Sequence, residues 1–191
     1  MSPVTHFFTG WVLGAIVGSD RRERAIVTLA AVVPDVDGLG IIPELLTRQS
    51  RHPLLWFSQF HHDLHTLPFA GVVTFVAFVL TARRWTAAVF AFLSFHLHLL
   101  EDLVGSRGPD GFGWPIPYLF PLSSRWTWSW SGQWALNAWP NLVLTAALIS
   151  VTLWIVIRWG FSPVEVFSIA ADRAVVRSLR KRFERAQPFG L

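Results

Sequence analysis

From Ala135 to Ile157 the chain runs for 23 residues without a charged side chain. As a helix this is ~35 Å long, enough to cross a hydrocarbon core of roughly 30 Å. The remainder agrees: 52% of the 191 residues are hydrophobic and 15% charged, with mean hydropathy +0.44, against about a quarter charged in soluble domains. The expected fold is an all-α, polytopic integral membrane helical bundle with a short N-terminal helical hairpin and a C-terminal basic amphipathic helix. Residues 1–160 would form a membrane-embedded unit carrying a metal site, and residues 161–191 a cytoplasmic basic helix.

Val4 to Ser19 is apolar, with Gly10, Gly14 and Gly18 at the four-residue spacing that lets helices approach closely. Ala25 to Val33 completes a hairpin that ends near Pro34. Ile41 to Phe60 is mixed and is expected to lie at the membrane interface, whereas Leu67–Ala82 and Trp85–Val104 read as spans beside Ala135–Ile157. Pro140 marks a candidate kink in the last of these. Seven of the eleven tryptophans fall between Trp114 and Trp154, and their rings favour the headgroup level. Ser162-Pro163-Val164-Glu165 has the form of a capping box. The helix after it places Val166, Ile169, Val176, Leu179 and Phe183 on one face, with Arg177, Arg180, Lys181, Arg182 and Arg185 around the rest. Such a helix suits an anionic leaflet.

The high sequence pI of about 10.9 does not point to nucleic acid, because the basic residues sit in short patches flanking apolar segments. That is the pattern that orients membrane helices. No Lys or Arg precedes Arg21, which argues against a cleavable signal peptide with a basic start. With Arg21–Arg24, Arg83–Arg84 and the tail cytoplasmic, the expected location is the inner (cytoplasmic) membrane, multi-pass, with an extracytoplasmic site and a cytoplasmic C-terminus.

Under that topology the chemistry-bearing residues gather. His6 opens the first helix and Asp35 and Asp37 close the second. His61 and His65 open the third, sharing a face at i, i+4, and His98 and Asp102 close the fourth with the same spacing. Ionisable groups in apolar helices are costly and mark function. The absence of cysteine leaves imidazole and carboxylate to bind a transition metal, which suits zinc or manganese. His62 and His96 point away from their neighbouring pairs and are expected to support or pack. Glu101 is either a further ligand or, being off the His98 face, a headgroup contact. Arg107 and Arg125 would hold a phosphate or balance charge.

The order of these elements resembles a known family. Pro3-Val4-Thr5-His6, then Pro34-Asp35-Val36-Asp37, a His-rich stretch opening a span, His98-Leu-Leu-Glu-Asp102 and Gly113-Trp114-Pro115 together resemble the predicted membrane-bound metal-dependent hydrolases, over roughly residues 3–126. Where that family usually shows His-Arg-Gly-x-Thr-His-Ser, this chain has His61-His62-Asp63-Leu64-His65-Thr66. His65 aligns with the second family histidine, and His61 or His62 with the first. More remotely, the His-x-x-x-Asp element is similar to that of the zinc-dependent phospholipase C and single-strand nuclease superfamily.

The resemblance implies a metal-dependent hydrolase, phospholipase C-like or a lipid phosphoesterase, cleaving a phosphoester of a lipid or lipid-linked substrate. The expected metal ligands are His6, Asp35, Asp37, His61, His65, His98 and Asp102, with Asp37, Asp102 and His65 as catalytic groups. Seven donors suggest two or more divalent ions, zinc first and manganese second, or one carboxylate acting as general base. The alternatives are a non-enzymatic metal-binding or transport protein, or a structural membrane subunit.

Overall fold

The structure is a computed structural model that describes residues 1–18, 20–108 and 111–185, the side chains of 184 and 185 excepted. The expectations for Ser19, for the Arg185 side chain and for residues 186–191 lie outside the described residues. Ser2 caps the first helix, α1 (Pro3–Val17), by accepting from the Thr5 N–H at 3.2 Å, and Pro3 starts it without wasting a donor. A short turn leads into α2 (Arg21–Ala30), which packs back on α1 as the expected hairpin.

The hairpin is close because glycine makes it so. A Cβ on Gly10 would lie 2.6 Å from the Ala31 Cβ and 2.8 Å from the Thr28 carbonyl oxygen. One on Gly14 would meet the Arg24 carbonyl oxygen at 2.9 Å.

Pro34 breaks α2, and the chain continues as a 3-10 helix over Val33–Gly40 and then α3 (Ile41–Thr47), bent by 49° from α2. After α4 (Trp56–Phe60) a tight turn reaches α5 (Leu67–Leu80), capped by Thr66 with Pro68 in its first turn. Next come α6 (Arg84–Gly105), a Gly-, Pro- and Trp-rich connection, α7 (Trp139–Trp159), a 3-10 turn (Pro163–Val166) and α8 (Ile169–Arg185). The described residues contain no strand, only two isolated bridges in the long connection. Ile116 and Trp128 exchange 2.8 Å hydrogen bonds there, and Trp128 stacks on Tyr118.

Two helices, α6 and α7, are long and apolar enough to cross a membrane, and the bent pair of α2 with Val33–Thr47 makes a third candidate. The helix expected over Leu67–Ala82 forms to within two residues but is too short to count as a full span. It holds 14 residues, ~21 Å of helix, and Thr81 ends it by turning its hydroxyl back to the Ala77 carbonyl at 2.8 Å. Pro140 does not kink α7 either. The helix begins at Trp139, which puts the proline in the first turn, where its missing N–H costs nothing.

The capping box also gives way to longer-range partners. Ser162 donates its hydroxyl to Asp172 at 2.6 Å, and Glu165 turns from its own helix to a bidentate pair with Arg24 at 2.7 and 2.6 Å. Arg21 donates to the Glu165 carbonyl, and the Arg83 N–H to Glu23. These contacts bring the Arg21–Arg24 start of α2, the Arg83–Arg84 turn and the start of the C-terminal segment to one end of the molecule. Val176 and Leu179 of α8 pack on the core around Trp11 and Ile155, whereas Ile169 and Phe183 are exposed.

Candidate metal centre

The other end of the same helices holds the histidines and carboxylates. His6, in the first turn of α1, is fully buried. Its Nδ1 donates to Glu101 Oε2 at 2.6 Å, while the second Glu101 oxygen accepts from the Thr9 hydroxyl. That leaves Nε2 facing Asp102 Oδ1 at 3.1 Å. His98, one turn before Asp102 on α6, is also fully buried, and its Nδ1 donates to the Ala31 carbonyl at 2.8 Å. Its Nε2 lies 3.2 Å from Asp102 Oδ2, 3.8 Å from Asp35 Oδ1 and 3.1 Å from His65 Nε2.

In both histidines one ring nitrogen is committed to an outer acceptor and the other aims inward. Metal-bound imidazoles are oriented in this way. Donor atoms of His6, Asp35, His98 and Asp102 all lie within 4.8 Å of one another. His65 adjoins them, its Nε2 3.5 Å from Asp102 Oδ2 and 3.8 Å from Asp35 Oδ1.

One further observation bears on a cation here. Asp35 Oδ2 is buried without a hydrogen-bond partner, a state that calls for a bound ion or water. The donor set of two to three imidazoles and two carboxylates is one that zinc accepts.

Asp37 and His61, expected as ligands, stand one layer out. Asp37 accepts from His61 Nδ1 at 2.9 Å and from the backbone N–H groups of His62 and Leu64 at 2.9 and 3.2 Å. It also lies 3.4 Å from His65 Nδ1. Asp37 therefore shapes the loop that presents His65. His61 and His65 do not share a helical face. The chain between α4 and α5 is a turn, with His62 at φ 85°, and the two rings are 5.9 Å apart. A positive φ is uncommon outside glycine, with His among the residues enriched there.

His62 is buried with both ring nitrogens unpartnered and its ring 4.7 Å from that of Trp114. Burial, with His65 and His61 close by, pushes its pKa down to about 3, so the ring is neutral. For His65 burial acts downward too, but its contacts with Asp102 and Asp37 prevail and raise it to about 9.

Trp114 also touches the His61 ring, so the Trp-rich connection reaches the centre. Gln133 holds it there. Its amide donates to the Asp102 carbonyl at 2.8 Å and its oxygen accepts from the Trp114 N–H at 3.0 Å. His96 faces away, bonded to the Phe92 carbonyl and the Tyr118 hydroxyl. Arg107 donates to the Ser131 carbonyl, and Arg125 is exposed. A cleft of ≈ 390 Å³ lined by Val36, Asp37, Leu39, Gly40, Pro43, Trp56 and Phe60 opens beside Asp37.

Gln133 is the site residue that sequence reasoning missed, and Glu101 holds the His6 ring from behind rather than joining the clustered donors. Glu101 had a signal. It sits at i+3 from His98, and a liganding His6 requires an outer acceptor for its second nitrogen. Gln133 had none, because nothing local ties residue 133 to Asp102.

Apolar helices of spanning length, with a polar cluster at their ends, define an integral membrane protein. The chain belongs to the family described as YdjM inner membrane protein, which it matches over residues 1–175. No curated protein and no solved structure matches it.

Proposed function

We propose that this protein is a multi-pass, metal-dependent hydrolase that cleaves a phosphoester of a lipid or lipid-linked substrate at the membrane interface. The observation that carries the reading is the inward aim of His6 and His98 toward Asp102 and Asp35, each imidazole fixed from behind by Glu101 or the Ala31 carbonyl. One such centre needs only His6, Asp35, His98 and Asp102, with His65 beside it. Zinc is the first candidate and manganese the second.

A bound divalent ion supplies Lewis-acid stabilisation of charge on phosphoryl oxygens and activates water. The chain's own residues do the rest. Asp102 joins the centre through both oxygens and His65 stands ready to hold a proton next to it. Asp37 fixes the His65 loop, and Trp114 with His62 closes the rim over it. Phosphoester chemistry suits this carboxylate-containing centre better than acyl chemistry, because the ion offsets charge already present on the substrate.

The arginine turns gathered at the opposite end support an orientation with that end cytoplasmic and the centre extracytoplasmic. A structural metal is the competing reading, favoured by the near-complete burial of the ligands, of which only Asp35 has appreciable exposure, 18%.

The test is direct. Purified protein should hold about one equivalent of divalent metal by elemental analysis, as the donors form one cluster, and His98→Ala with Asp102→Ala should lose it. Incubated with extracted native lipids, the loaded protein should release a phosphorylated headgroup or phosphate, seen by mass spectrometry, and chelator should abolish this. Metal that stays bound with no lipid turned over would favour the structural role. Release of fatty acid would replace the phosphoester by an acyl ester.

A further inference from the structure

Between α2 and α5 a groove of ≈ 340 Å³ runs down the side of the bundle. Ile26, Ala30 and Val33 line one wall and Phe69, Val73 and Val76 the other, with no ionisable side chain among its lining residues. It lies open along its length, since Leu29, Val72, Val76 and Leu80 at its margins are each 42 to 55% exposed. We infer that this groove seats one acyl chain of the lipid whose phosphate the metal centre holds, an inference that rests on the proposed function.

Three observations carry it. First, one end of the groove is built from the segments that make the centre. Ala30 precedes Ala31, whose carbonyl fixes His98. Val33 lies two residues before Asp35, and Phe69 four residues after His65. Second, the other end, at Ile26 and Leu80, approaches the start of α2 at Arg24 and the turn that carries Arg83, so the groove runs from the centre toward the opposite end of the bundle. A lipid chain runs from its headgroup in the same direction.

Third, its length fits. Phe69 to Leu80 spans ~16 Å of helix, against about 15 Å for half of a hydrocarbon core of roughly 30 Å. The volume falls within the range of small-ligand pockets, about 300–1,000 Å³.

The experiment uses the full chain in detergent, with dioctanoyl and dipalmitoyl phosphatidate as probes and native mass spectrometry as the readout. Val76→Trp fills the middle of the groove from a part-exposed position, without touching the buried core or the centre. Val79→Trp, on the same helix but outside the groove, is the control. Wild-type protein should retain the dipalmitoyl lipid preferentially. Val76→Trp should weaken that retention about tenfold, since displacing two methylenes suffices, and leave the dioctanoyl lipid unaffected.

Equal retention of both lipids by wild type and Val76→Trp overturns the groove. A Val79→Trp effect as large as that of Val76→Trp overturns it too, because general loss of fold then explains both. Phosphate release assayed on the same samples separates the two readings. Turnover with unaltered chain preference in Val76→Trp removes the groove and keeps the hydrolase. Chain-selective retention without turnover removes the hydrolase and keeps the groove.

Discussion

Glu101 makes the clearest case at the scale of single residues. Its carboxylate fixes the His6 ring from behind, and partners of this kind are worth about 10- to 100-fold in metal affinity. Glu101→Ala should therefore weaken divalent-metal binding by about that factor, measured by competition with a chromophoric chelator, while the helical circular-dichroism signal stays. Unchanged affinity would reduce Glu101 to a packing role. Sequence spacing placed His98 and Asp102 on one face of a helix, because i, i+4 geometry is local. It did not show Asp37 holding the backbone of residues 62 and 64, because that turn exists only through its tertiary partner. Helical spacing fails for His61 and His65 because the positive φ of His62 keeps that stretch out of helix.

Among the elements, the hairpin of α1 and α2 depends on its glycines. Gly10→Ala would put a methyl group against the Ala31 Cβ and the Thr28 carbonyl, and overpacking of this sort costs about 1–3 kcal/mol. The thermal midpoint in detergent should fall, and metal affinity should fall with it, because Ala31 also carries the carbonyl that positions His98. Gly71→Ala is the counterpart. A Cβ there meets nothing within 4 Å, and the gain in helix propensity, about 1 kcal/mol, should leave the midpoint level or higher. A midpoint unchanged in Gly10→Ala would show that the hairpin opens without cost. Composition and periodicity were enough to recognise α6 and α7 to within a few residues. The end of α5 was legible to within two residues, and Thr81 and Arg83 turn the chain there through contacts with Ala77 and Glu23.

For the whole molecule the prediction is one of sidedness. The chain has no cysteine, so single cysteines report cleanly. Leu122→Cys, exposed in the Trp-rich connection, should react with an impermeant thiol reagent added outside intact cells. Ala82→Cys, in the Arg83–Arg84 turn, should react only after lysis. The reverse pattern would place the metal centre on the cytoplasmic side and change which lipids reach it. The grouping of the arginine turns at one end could be anticipated from charge alone. The pair that helps to hold them there could not, since Arg24 and Glu165 are 141 positions apart.

That separation has a meaning in time. At synthesis rates of about 5–20 residues per second, the ribosome needs on the order of 10–30 s to pass from one partner to the other. Five more helices, α3 to α7, emerge in that interval. Only after α7 does the carboxylate arrive to pair with Arg24. The contacts of α2 with α1, α5 and α6 are available before this pair, and a premature stop codon anywhere before position 165 yields a product that lacks it.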